Sequence, residues 1–144
     1  MAVQTDWPEL KARVSNRLSR YFCTAPLRLS NTRPIVSFTF DDFPESAAAT
    51  GAPIIEEHDA RVTFYVAGSQ VDKWSEHWQG VGADAIVELH RRGHEIGCHT
   101  FSHARATDLD ATRLAAEVEE NRRYLLGLDP SMRIENFAYS YGLV

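Results

Sequence analysis

The chain has 144 residues and a formal net charge of -5, with 44% hydrophobic and 24% charged residues. That is the balance of one ordinary globular domain, and it excludes a collagen, a long disordered chain and a disulfide scaffold. An acidic chain with only two lysines is also a poor match for nucleic acid, so no nucleic-acid partner is expected.

The charge is uneven. Residues 1–33 carry six basic and two acidic residues, net +4, and the remainder carries -9. Trp7, Leu10, Val14, Leu18 and Tyr21 recur at helical spacing, and Asp6 is placed to cap that helix ahead of Pro8 and Glu9. Two uses of such a basic amphipathic helix are open: packing its stripe on the acidic body, or lying on a membrane surface. Charged residues interrupt any secretory apolar core in residues 1–25, and no run approaches the ~18 apolar residues of a membrane span. The expectation is a cytoplasmic protein without a transmembrane segment. Cys23 and Cys98 have no metal-finger spacing and read as two small thiols or, less simply, as one disulfide.

A βα alternation follows. Residues 34–40 read as a buried strand ending at Asp41 and Asp42, and residues 45–58 as a helix that Gly51 and Pro53 break or delay. Residues 61–66 form a second strand. Residues 69–82, with Trp74, His77 and Trp78, form a loop or short helix, in which the two tryptophans serve as a sugar platform or as packing. Residues 83–90 are helical and end at Gly93, residues 95–98 are a third strand, and Asp110 caps a helix running to about Gly127. Leu114, Val118, Tyr124 and Leu125 form its inner side, and residues 134–138 are a fourth strand. Alternating strands and helices imply parallel strands with helical crossovers. Chemistry in such folds gathers at the C-terminal strand ends.

Two clusters sit at those ends. Adjacent Asp41 and Asp42 are either a solvated turn or a pair that a cation relieves of repulsion. His99 and His103, four apart, are either surface histidines or two imidazoles able to grip one metal. Thr100 stands where the HExxH metalloprotease helix has Glu. Taken together, two histidines and one carboxylate supply three ligands and leave a position open for water, as in a catalytic zinc site. The second carboxylate is then available as a base. Non-haem iron uses the same ligand types.

The segments Ser37 to Asp42, Thr63 to Val66 and Gly93 to His103 resemble the polysaccharide deacetylases of carbohydrate esterase family four. Their first motif is TFDD, and their second is H-[S/T]-x-x-H within GHEIGxH. The resemblance runs over roughly residues 34–142. It implies an α/β fold, a partial (β/α) barrel with parallel strands, as residues 34–144 preceded by a helical segment over 1–33. It implies Asp41 as general base and Asp42, His99 and His103 as ligands of a divalent metal, usually Zn²⁺. The substrate class it implies is an acetylated carbohydrate, hydrolysed at its N-acetyl or O-acetyl group by a metal-bound water. The third family motif, Arg-x-Pro-Tyr, is matched by Ala138, Tyr139, Ser140 and Tyr141. The base-tuning Arg is therefore missing, while Tyr141 retains a backbone N–H suited to an oxyanion hole. Phe43 replaces the Gly that commonly follows TFDD and is expected to narrow the site.

The resemblance also implies further strands beyond Val144, with an Asp-Trp motif and a late Leu-x-His motif bearing the general acid. The expectation is thus the metal-binding half of a deacetylase, weak by itself, or a non-catalytic homologue that binds metal and self-associates. Four strands leave an open edge and uncover side chains facing a barrel interior, which are expected to be apolar and to drive a homodimer or larger oligomer.

Overall fold

The computed structural model describes residues 7–22, 25–26, 28–74 and 78–142. Asp6, Cys23 and His77 lie outside the described residues. The amphipathic segment is one helix, α1 (Trp7–Phe22). Its apolar stripe does not pack on the acidic body: Trp7, Leu10, Val14, Leu18 and Tyr21 are all exposed. No described helix is long and apolar enough to cross a membrane.

The centre is a parallel sheet of β1 (Thr39–Phe40), β2 (Thr63–Val66) and β3 (Glu95–Cys98), in that order. Helical crossovers join the strands. The first begins as a π-helical turn over Ala47–Gly51, where the Ala52 N–H donates to the Ala47 carbonyl five residues back. The α-helix α2 (Ala52–Glu56) then starts with Pro53 in its first turn, where a missing N–H costs nothing. The second crossover contains α3 (Ala83–Arg91), followed by Gly93 at φ +89, a conformation glycine adopts without strain. Helix α4 (Ala111–Leu128) opens with the Asp110 carboxylate accepting from the Arg113 N–H at 2.8 Å.

Strand alternation sorts the two sheet faces. Phe64, Val66, Ile96 and Cys98 point to the helix-covered side and are buried there. Phe43 and Phe40 stack on Phe64 with ring centroids 4.3 and 5.4 Å away, and Leu89, Ile86 and Leu125 close the core. Each such large side chain contributes about 1.5–3 kcal/mol on burial. The opposite face carries Thr39, Thr63 and Glu95 in register. Thr63 donates to Glu95 Oε2 at 2.5 Å, and the Asn136 amide donates to Glu95 Oε1. Further along, the Tyr65 ring lies over Gly97, where a Cβ would come within 2.6 Å of it.

Three sequence expectations change here. The first strand is two residues long, and Ile35, Val36 and Phe38 are exposed because β1 is the sheet edge. The predicted fourth strand is reduced to one parallel bridge, Cys98 with Phe137. Its bonds run from the Cys98 N–H to the Asn136 carbonyl at 2.8 Å and from the Ala138 N–H to the Cys98 carbonyl at 3.0 Å. The side chains expected to be apolar on the uncovered face are instead a hydrogen-bonded polar layer, because the ladder sets Thr39, Thr63 and Glu95 there.

A buried histidine ties the first crossover to β3. His94 Nδ1 accepts from the Val62 N–H at 3.2 Å, which leaves the ring proton on Nε2 to donate to Glu56 Oε1 at 2.8 Å. Arg92 grips the same carboxylate with two nitrogens, Nε at 2.9 Å and Nη2 closer still. Hydrogen bonds from Arg92, then His94, hold the Glu56 carboxyl down to about 2. A depressed carboxyl stabilises the fold above its unfolded value of 4.5, and that stabilisation is lost as pH falls from there toward 2. The urea midpoint of the protein is expected to drop across that window, and Glu56→Gln is expected to flatten the drop. An unchanged pH profile in the variant would contradict this role.

Candidate metal centre

The C-terminal ends of β1 and β3 deliver the two sequence clusters to one place. Asp42 follows β1 by two residues, His99 follows β3 directly, and His103 ends the next turn. One ligand atom from each lies within 4.8 Å of the others. Asp42 Oδ1 is 3.3 Å from His99 Nε2 and 2.6 Å from His103 Nε2.

Hydrogen bonding fixes what these atoms can do. His99 is buried, and its Nδ1 lies 2.9 Å from the Ala138 carbonyl, which can only accept. The ring proton is therefore on Nδ1, and Nε2 presents a lone pair toward Asp42. His103 Nε2 is buried and makes no hydrogen bond, despite its nearness to the carboxylate. Burial, above all, pushes His103 below the ordinary histidine value and keeps it neutral, against the pull of Asp42. The His99 lone pair faces a carboxylate oxygen and repels it unless positive charge lies nearby. The donor set and the orphaned nitrogen thus fit a divalent cation, with two nitrogens and one oxygen of the kind zinc takes.

The loop carrying the histidines is held from three sides. Thr100, fully buried at φ 60, donates to the His99 carbonyl at 2.6 Å and accepts from the Ala104 N–H at 3.1 Å. Ser140 Oγ lies 3.1 Å from the same carbonyl and 3.2 Å from Thr100 Oγ1. From α4, the Glu117 carboxylate accepts from the Phe101 N–H at 3.0 Å, the Ser102 N–H at 2.7 Å and the Ser102 hydroxyl at 2.8 Å. Asn121, also on α4, donates to the Val66 carbonyl at 2.7 Å and accepts from the Gly68 N–H at 2.8 Å, fixing the end of β2.

The other predicted residues fall around this centre. Asp41 is exposed beside Asp42 and is not one of the converging groups. Its charge, after burial and Glu95, raises the Tyr65 phenol. The Tyr141 ring is 4.6 Å from that of His103, and the Arg105 guanidinium lies over the Tyr141 ring, 4.8 Å from its centroid. Phe43 turns its ring into the core against Phe64 and, with Asp42, lines a small cavity there. Cys98 is a free buried thiol against Asn121, 3.3 Å away, and acts as filler. Trp74 is exposed at an antiparallel bridge to Gln79.

Sequence reasoning missed Glu117, Asn121, Ser140 and Arg105. Glu117 and Asn121 had a signal: both fall on the inner stripe of α4 between Leu114 and Leu125, where a polar residue needs a buried partner.

A profile of the polysaccharide deacetylase family matches residues 28–144. The chain belongs to the polysaccharide deacetylase family. Among relatives of this chain, a chitin deacetylase of Colletotrichum lindemuthianum is 30% identical over 114 residues, covering 78% of this chain and 42% of the relative. A peptidoglycan-N-acetylglucosamine deacetylase of Bacillus cereus is 30% identical over 81 residues, covering 56% of this chain and 27% of the relative. The chain thus spans less than half the length of these two relatives. The fold is that of solved deacetylases. Streptococcus pyogenes PplD, solved with acetate, superposes with a TM-score of 0.70 at 19% identity, over 92% of this chain and 54% of that one. IcaB from Ammonifex degensii gives 0.64 at 22%, over 73% and 49%.

Supports of a ligand-bearing loop commonly carry a large share of metal affinity. Glu117→Ala is expected to weaken Zn²⁺ binding by about 10–100-fold in titration calorimetry, with the far-UV spectrum retained. Unaltered affinity would show that the loop keeps its shape without the carboxylate.

Proposed function

We propose that this chain carries the metal-binding part of a deacetylase that hydrolyses the N-acetyl, or O-acetyl, group of a carbohydrate. The observation that carries the reading is the buried, unbonded His103 Nε2 beside Asp42 Oδ1, with the His99 lone pair set toward the same oxygen. Relatives named for chitin and for peptidoglycan N-acetylglucosamine support an acetylated amino sugar as substrate.

Asp42, His99 and His103 would hold the ion, with zinc favoured by the donor set. When bound, the ion supplies a water of pKa near ~7 and a Lewis acid for the acetyl carbonyl. Asp41 is the base: its carboxylate, adjacent in sequence to Asp42, takes the proton of the attacking water. The Tyr141 backbone N–H donates to the oxygen that gains charge as the carbonyl carbon becomes tetrahedral. Stacking of Tyr141 near His103 and Arg105 orients that loop. The C–N bond then breaks: acetate leaves, and the departing amine takes its proton from a general acid distinct from Asp41, Asp42, His99 and His103.

Stripped protein is expected to bind one Zn²⁺ saturably, and His103→Ala to abolish it. No saturable binding, or binding indifferent to His103→Ala, would refute the centre. Asp41 is separable from leaving-group protonation by using an activated aryl acetate, whose leaving group needs no acid. With that substrate Asp41→Asn is expected to lower the metal-dependent rate by about 10²–10⁴-fold while leaving Zn²⁺ affinity in place. An unchanged rate would remove Asp41 as the base.

A further inference from the structure

Helix α1 precedes the residues the family profile matches and takes no part in the metal centre. Its stripe is nevertheless strongly organised. Trp7, Leu10, Val14, Leu18, Tyr21 and Phe22 share one side of the helix and are between 42% and 81% exposed. At 3.6 residues per turn, Arg17 borders one edge of the stripe, Arg13 and Arg20 lie farther round on that same side, and Lys11 falls within the stripe between Leu18 and Phe22. All four are exposed. Aromatic residues stand at both ends of the stripe, Trp7 at the start and Tyr21 with Phe22 at the finish.

We propose that α1 is a surface anchor that lies in the plane of an anionic phospholipid membrane. The apolar stripe enters the boundary between headgroups and acyl chains, and the long side chains of Lys11, Arg17 and Arg20 reach lipid phosphates. Indole and phenol rings favour that same depth, because one part of each is apolar and the other polar. Charge complementarity selects this occupant. Pairing of α1 with α1 of a second copy would bring Lys11, within the stripe, against the same cation of its partner and is disfavoured. A lipid surface takes up the stripe and the cations beside it at once, and its negative potential draws such segments toward it.

The test is co-sedimentation of the whole chain with vesicles of phosphatidylcholine alone and of phosphatidylcholine mixed with phosphatidylglycerol. Binding is expected to the anionic vesicles, to weaken as salt is raised, and to be slight on the neutral ones. Val14→Glu with Leu18→Glu alters only exposed positions, and Arg17→Gln with Arg20→Gln keeps the stripe intact. The first pair is expected to abolish binding, and the second to weaken it about tenfold or more on anionic vesicles. Circular dichroism and Zn²⁺ titration check that the body of each variant is intact, and they keep this result independent of the deacetylase reading. Absence of binding to anionic vesicles at low salt would overturn the proposal. So would binding that survives the glutamate pair. A lipid-independent dimer, seen by light scattering and dispersed by that pair, would assign the stripe to a second copy instead and equally overturn it.

Discussion

A carboxylate and two imidazoles drawn from separate parts of a sheet do not stay together unaided. Asp42, His99 and His103 come from two strand ends with β2 between them, and the backbone that brings them together is held by bonds elsewhere. Much of the described polar network does this. The Ala138 carbonyl sets the His99 tautomer, Thr100 and Ser140 fix the peptide after it, and Glu117 collects the N–H groups of the following turn. Asn121 holds the tip of the intervening strand. Apart from Thr100, these supports come from Ala138, Ser140 and α4, so much of the last third of the described chain braces side chains that precede it.

What was legible in the sequence was local. Residues 83–90 and 95–98 show clean periodicity bounded by glycines, and both elements formed almost where expected. Asp110 announced α4 because a cap needs only its own neighbours. The convergence of Asp42 with the two histidines followed from placing each at a strand end. Features that depend on what lies across the sheet were not legible. Ile35, Val36 and Phe38 look like a buried strand, yet burial requires a neighbour on the free side of β1. Residues 134–138 have strand composition, but only Phe137 pairs. Phe43 follows the motif, and its direction depends on the space beside Phe64.

The two sheet faces also divide their work by chemistry. One is sealed by rings and aliphatic chains under three helices. The other is bound together by Thr63, Glu95 and Asn136, whose polar atoms satisfy one another and tolerate water. An open surface of this kind resists the non-specific collapse that an uncovered apolar sheet would invite.

Four residues around the centre, Asp42, Thr100, His103 and Tyr141, have φ between 55 and 62, and none is glycine. Left-handed backbone costs an ordinary residue about 1–2 kcal/mol relative to its right-handed form. At each position a backbone-led choice would be glycine, and at each the side chain is engaged: a carboxylate, a buried hydroxyl, an imidazole and a stacked phenol. Redesign guided by backbone stability alone would therefore favour glycine at these four sites, and following it would exchange four chemically distinct side chains for a more relaxed chain. The corner of the molecule with the richest chemistry thus carries four of the strained backbone positions among the described residues.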